Sequence, residues 1–141
     1  MAAMSNWLKG VLASHVFGSG TYAKPTVIAI ALCKSPPGSG DNGTLSGKEI
    51  ANAGSYTRQA LNPSAVNWLD PITNDGTENN SAITFDVATA DWGYVSGVAI
   101  CDSATYGGGN MLFYGTLTTP KIIGQDDQFK FNAGNLDVRF E

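Results

Sequence analysis

Residues 83–114 read ITFDVATADW GYVSGVAICD SATYGGGNML FY, and the reading of this stretch decides the fold class. Ile83, Phe85 and Val87 alternate with Thr84, Asp86 and Ala88, which is the two-residue period of a half-buried strand. Trp92-Gly93-Tyr94 follows a short polar link. Residues 95–101 are more uniformly apolar, as in a strand covered on both faces. Residues 102–110 are loop chemistry with three consecutive glycines, and Met111 opens a third strand that runs to Tyr114. One block thus predicts three strands in succession, with Trp92-Gly93 as the corner between two of them. It holds no nucleophile, base or metal cluster, so it predicts a surface that packs and binds rather than one that turns over a substrate.

The flanking chain agrees with this β-rich reading. Of 141 residues, 17 are glycine and only 14% are charged. Low charge with abundant turn residues points to an all-β domain. A chain of this length buries roughly 68–70% of its unfolded surface, so a core needs neither disulfides nor metals. The net charge is −4, and no basic patch for nucleic acid is present. The N-terminal segment lacks a basic leader with a cleavable apolar core. No apolar run reaches the roughly 20 residues of a membrane helix. Both observations predict a protein made in the cytoplasm, away from membranes. Cys33 and Cys101 sit in apolar strand-like runs and read as buried thiols, with a bridge between them left open.

Upstream, Ser5 is a candidate N-cap for a helix over 6–17. Trp7, Leu8, Val11, Leu12 and His15 fall at helical spacing and form one stripe, and Gly18-Ser19-Gly20 stops the helix. Two uses of the stripe stand side by side: cover for the chain's own sheet, or contact with a neighbouring subunit. Residues 26–33, TVIAIALC, read as a central strand. Residues 35–43 contain Pro36, Pro37 and Asn42 among glycines and serines and form a loop, either a plain connection or a contact surface. Further short strands are predicted at 55–61 and 65–69, the second with Trp68 inward. Asp75-Gly76 is a hairpin signal. Residues 115–120 close a strand and 121–123 form a short apolar piece. At 128–131 Phe129 and Phe131 share a face. Residues 136–141 alternate, with Asp137, Arg139 and Glu141 on the wet side. The sum is seven to nine short antiparallel strands in a sandwich or jelly-roll-like barrel, preceded by a short N-terminal α-helix. It reads as one domain over 1–141, with 1–20 as a helical arm.

A search for catalysis returns little. His15 is the only histidine, so a hydrolytic triad has no base outside a helix of packing residues. Gly107-Gly108-Gly109 lacks the lysine and hydroxyl of a phosphate loop. No cysteine–histidine spacing suits zinc. Asp70, Asn74, Asp75 and Glu78 lack the twelve-residue calcium pattern. Asp86, Asp91, Asp102, Asp126 and Asp127 are the carboxylates a glycosidase would need to pair. Trp92 and Tyr106, with Tyr94, are candidates for an alternative glycan platform, against a packing role for Trp92. No cofactor is predicted and the chain is not read as an enzyme.

The motifs in order carry a resemblance. They stand here as Gly54-Ser55-Tyr56-Thr57-Arg58-Gln59, Asn80-Ser81-Ala82-Ile83-Thr84-Phe85, Ala90-Asp91-Trp92-Gly93 and Ile100-Cys101-Asp102. A hairpin from Gly109-Asn110-Met111-Leu112 to Gly115-Thr116-Leu117 and an ending from Phe129-Lys130-Phe131 to Leu136-Asp137-Val138 complete them. The chain resembles a family of small bacteriophage virion proteins often labelled tail-fibre proteins. That resemblance implies a structural role in the virion. A fibre usually needs repeats or a coiled coil, and this chain has neither. A compact domain with a short helical lead instead suits a capsid decoration (cement) protein first, bound to the major capsid protein in many copies, often as a trimer. A tail, collar or fibre protein binding other virion parts or host-surface glycan is the alternative. Trp7, Leu8, Val11, Leu12, Pro36, Pro37 and Asn42 are the expected interface residues.

Overall fold

In a computed structural model the chain is described over residues 2–140. Two long strands form its axis. β1 is Ala2–Met4, α1 Asn6–Phe17, β2 Ala29–Cys33 and β3 Gln59–Ala60. A short helix α2, Pro71–Asn74, precedes β4, Thr77–Glu78, and β5, Ile83–Thr84. Then come β6, Gly93–Cys101, β7, Met111–Ile123, β8, Lys130–Phe131, and β9, Asp137–Val138. Seven strands make one sheet in the order β3-β2-β6-β7-β1-β9-β4, and β5 pairs with β8 separately. The large sheet is mixed and curls into a half-barrel, so the all-β, barrel-like expectation stands.

β2 and β6 explain why the sheet is buried on both faces. Ile30, Leu32, Val98 and Ile100 belong to the main core, with Tyr56, Phe85, Trp92 and Leu112. Ala31, Cys33, Ala99 and Cys101 point the other way, into a smaller cluster with Leu45 and Met111. Small residues on that face let the 35–45 segment lie close; a Cβ on Gly97 would come within 2.6 Å of Pro36 Cα. Both cysteines are buried free thiols, on alternate ends of β2 and β6.

Several sequence expectations need correction. The 1–20 segment is no appended arm. β1 lies inside the sheet, antiparallel to β7 (Ala3↔Tyr114) and parallel to β9 (Ala2↔Val138), so the sheet is not purely antiparallel. Ser5 welds the helix start to it. Its backbone N–H bonds Leu112 O at 2.9 Å, its hydroxyl donates to Met111 O at 2.6 Å, and that oxygen accepts from Leu8 N at 3.1 Å. α1 itself spans the expected residues. The strand predicted at 83–87 is regular only at Ile83–Thr84. The expected breaks at 115–123 vanish, because β7 continues for 13 residues through Pro120. It does so by bulging: Val95 pairs with Lys121 and Gly97 with Thr116, which leaves Leu117 to Pro120 looped out and frees the proline of a ladder bond. The strand at 65–69 reduces to a single bridge, Trp68↔Asn79. Asp75 and Gly76 do turn the chain there, with Asp75 in the left-handed region at φ 53°. Asp137 and Arg139 pair at 3.2 Å on the wet face as expected; Glu141 lies outside the described residues.

Placing β1 between β7 and β9 makes Ala2 a core residue, 1% exposed. Ala2→Asp buries a carboxylate there and costs several kcal/mol, on the order of 3 or more. Chemical denaturation should show that loss, and a midpoint unchanged from the parent would contradict the placement.

Candidate functional site

The loop end of the sheet is built around one arginine. Tyr56 and Arg58 are two residues apart in an extended segment. Glu49 reaches them through a bridge to Cys33, at the end of β2. The Arg58 side chain is fully buried and the Glu49 side chain 2% exposed. Arg58 Nε donates to Glu49 Oε2 at 2.9 Å and Nη2 to Oε1 at 2.8 Å, a bidentate pair of the strong, charge-assisted kind. Nη2 also donates to Gly43 O at 2.8 Å. Nη1 donates to Ser103 O and Gly108 O, each at 3.0 Å. Five donor contacts thus use the planar fork in full. Burial alone would lower the Arg58 pKa, but the hydrogen bonds to Glu49 and nearby negative charge outweigh it and hold the pKa above its ordinary value.

Tyr56 completes the cluster. Its hydroxyl donates to Glu49 Oε2 at 2.7 Å and accepts from Leu32 N at 3.0 Å. Burial first, and Glu49 second, raise its pKa far beyond the usual phenol range. Such a phenol stays protonated at every working pH. Among the described residues every buried side-chain polar atom has a hydrogen-bond partner. The cluster ties carbonyls of two loops to the end of β2, with each of its buried polar atoms partnered.

Outside this cluster the loop end is bound by amide contacts. Asn42 Oδ1 accepts from Met111 N at 2.8 Å, and its Nδ2 donates to Asn110 Oδ1 at 3.3 Å. Asp102 Oδ1 accepts from Asn110 N at 2.6 Å. Asp41 pairs with Lys48 at 2.6 Å; bonds from Lys48 and then Ser46 hold its carboxyl down at about 2. Three more carboxylates accept from backbone N–H groups: Asp70 from Ile72 and Asp127 from Gly124 within turns, and Asp91 from Gln125 across the chain.

A second feature lies under α1. An open groove of about 730 Å³ runs between the helix, the sheet face and the 63–71 segment. Leu12, Ile28, Trp68, Phe113 and Phe140 line it, with Lys24 and Asp70 also in its lining. The expected interface residues distribute unevenly around these features. Leu8 is buried in the chain's own core, while Trp7, Val11 and Leu12 only lean on it. Trp7 meets Tyr22 edge-on at 6.2 Å. The helix tip is bare, with Phe17 90% exposed. Pro36 and Asn42 are exposed but Pro37 is buried, and Leu8, though 4% exposed, contributes to the groove lining. Trp92 also departs from a glycan platform. It is 9% exposed, its Nε1 donates to Gly54 O at 2.7 Å, and its ring meets Tyr56 edge-on. Tyr106, 40% exposed, has no exposed aromatic neighbour of that pair to stack beside. Sequence reasoning missed Glu49 and Arg58 as partners. The available signal was Arg58 itself, a cation in an extended, uncharged motif.

The order of motifs has a counterpart in the comparison with known families. The family model described as Podophage GP4 fiber I protein gp80 matches residues 3–139. The chain belongs to this family of phage fibre proteins. It is therefore a bacteriophage structural protein. The matched span takes in the Glu49–Arg58 cluster, most of β1 and all of the groove lining except Phe140. No curated protein matches the chain.

Burial pushes the Cys33 thiol up to about 12, with Glu49 adding to it, and the Cys101 thiol up to about 11. Thiolate is the reactive form, so a thiol reagent at neutral pH should leave both untouched in the native protein and label both after denaturation. Rapid labelling of the native protein would contradict the packing of this end.

Proposed function

We propose that this chain is a docking subunit of the phage fibre apparatus, working by contact with neighbouring virion proteins and turning over no substrate. The observation that supports this most directly is the open apolar groove beside α1 in a chain of the fibre family. A concave, largely apolar groove with a few polar groups at its edge is a common form of binding site. Leu12, Trp68, Phe113 and Phe140 supply the apolar floor and walls, whose covering contributes favourable transfer free energy against the cost of association. Many copies on one particle make modest individual contacts effective. A homo-oligomer, with a trimer as its first form, fits this reading, and the virion is its location.

A second reading, decoration of the capsid shell through the major capsid protein, is favoured by the shape of the chain. The longest helix among the described residues is α1, at 12 residues, and seven of the strands form one curled sheet rather than a repeating shaft. Copy number separates the two: immunolabelling that finds a few copies at one vertex supports the fibre reading, and hundreds over the shell support decoration.

Two variants test the groove in either setting. Leu12→Glu and Phe140→Glu place charge in its lining, where both side chains are partly solvent-exposed. Each should fold as the parent does by circular dichroism and enter assembled particles about tenfold less, the loss a 1.4 kcal/mol weaker contact produces. Full incorporation of both folded variants would overturn the docking role of the groove.

A further inference from the structure

We infer that the two loops at the end of the sheet, residues 34–44 and 102–110, are one cooperative unit latched by Arg58, and that they open together or not at all. Distant in sequence, the loops share one guanidinium. Nη2 holds Gly43 O of the first, Nη1 holds Ser103 O and Gly108 O of the second, and Glu49 fixes the plane of the fork through both of its oxygens. A rigid planar fork anchored at one edge cannot follow one loop outward while keeping the other.

The backbones reinforce this. Gly43 lies so close to the second loop that an added Cβ would come within 2.6 Å of Gly108 O and closer still to Gly109 O. Only glycine permits that approach. Asn42 then crosses from the first loop to Met111 N and Asn110 Oδ1. Three independent contacts (fork, backbone and amide) thus join the same two segments. The loop surface is mostly Ser, Thr, Gly and Asn, with Tyr106 as its exposed aromatic. Loops of this composition ordinarily adapt on contact; latched, they are ordered before contact, which lowers the entropy a contact would cost. The groove lies outside this unit, so the latch stands or falls apart from the docking role.

Native-state hydrogen exchange read by NMR tests the coupling. The reporters are hydrogen-bonded amides: Asp41 in the first loop and Leu45, which bonds Asn42 O from just past it, then Gly108 and Asn110 in the second. Two variants act from opposite sides. Arg58→Lys keeps the charge but lacks the fork. Gly43→Ala leaves Arg58 in place and wedges the backbones apart. In each, all four amides should exchange faster by a common factor of about tenfold, the value of one or two hydrogen bonds. Amides of Val98 to Ile100 in β6 should keep the parent rates. Acceleration confined to one of the two loops, in either variant, would overturn the inference. Uniform acceleration across β6 as well would also overturn it, since Arg58 would then be a support of the whole sheet. Should Arg58→Lys not fold, Gly43→Ala alone decides between these outcomes.

Discussion

The Glu49–Arg58 ion pair is the contact on which the loop end of this protein depends. Both side chains are withdrawn from water, and the effective penalty for burying an ion is several kcal/mol each. Mutual attraction offsets that only when geometry is good and the remaining donors are used. Here the pair is bidentate, the other arginine contacts go to three backbone carbonyls, and Tyr56 caps the second carboxylate oxygen. Replacing the whole cluster by apolar side chains need not destabilise the fold. What the pair supplies is arrangement: carbonyls from two distant loops are brought to one point. Losing either partner alone leaves a buried charge and costs roughly 3–5 kcal/mol.

The β1 side of the sheet obeys a topological constraint. β1 is inserted between β7 and β9, and the Ser5 hydroxyl closes onto Met111 across 106 positions of sequence. The sheet is complete only when the two ends of the chain meet. Such long-range pairing makes folding slow relative to local structure, and it makes the N-terminal residues as much a part of the core as β6. It also places α1 over the sheet face, and that placement creates the groove: Leu8 is committed inward while Leu12 stays on the rim. Groove and latch thus arise from separate constraints on one scaffold.

Much of the scaffold was legible in the sequence because it is local. Ser5 as cap, α1 through Phe17, the doubly covered 95–101 run and the Trp92-Gly93 corner all follow from period and turn chemistry. β1 was not legible, since three small or flexible residues show no alternation and take their strand state from β7 and β9. The continuity of β7 was hidden by Pro120, whose effect a bulge absorbs. The Glu49–Arg58 pair was hidden because neither residue announces its partner; their meeting is set by the return of the chain after β2. The same limit applies to Leu8 and Trp92. Their types fit an interface or a platform, and only the tertiary packing turns them inward. The fibre family, by contrast, was legible from the order of motifs along the chain.

A double-mutant cycle on the ion pair tests the central claim most directly. Glu49→Gln, Arg58→Met and the double variant are compared with the parent by denaturant unfolding. If the two charges exist for one another, each single variant loses roughly 3–5 kcal/mol and the double loses no more than the worse single, a coupling well above the ~0.5 kcal/mol scatter of independent sites. Additive losses, with the double equal to the sum of the singles, would contradict the account.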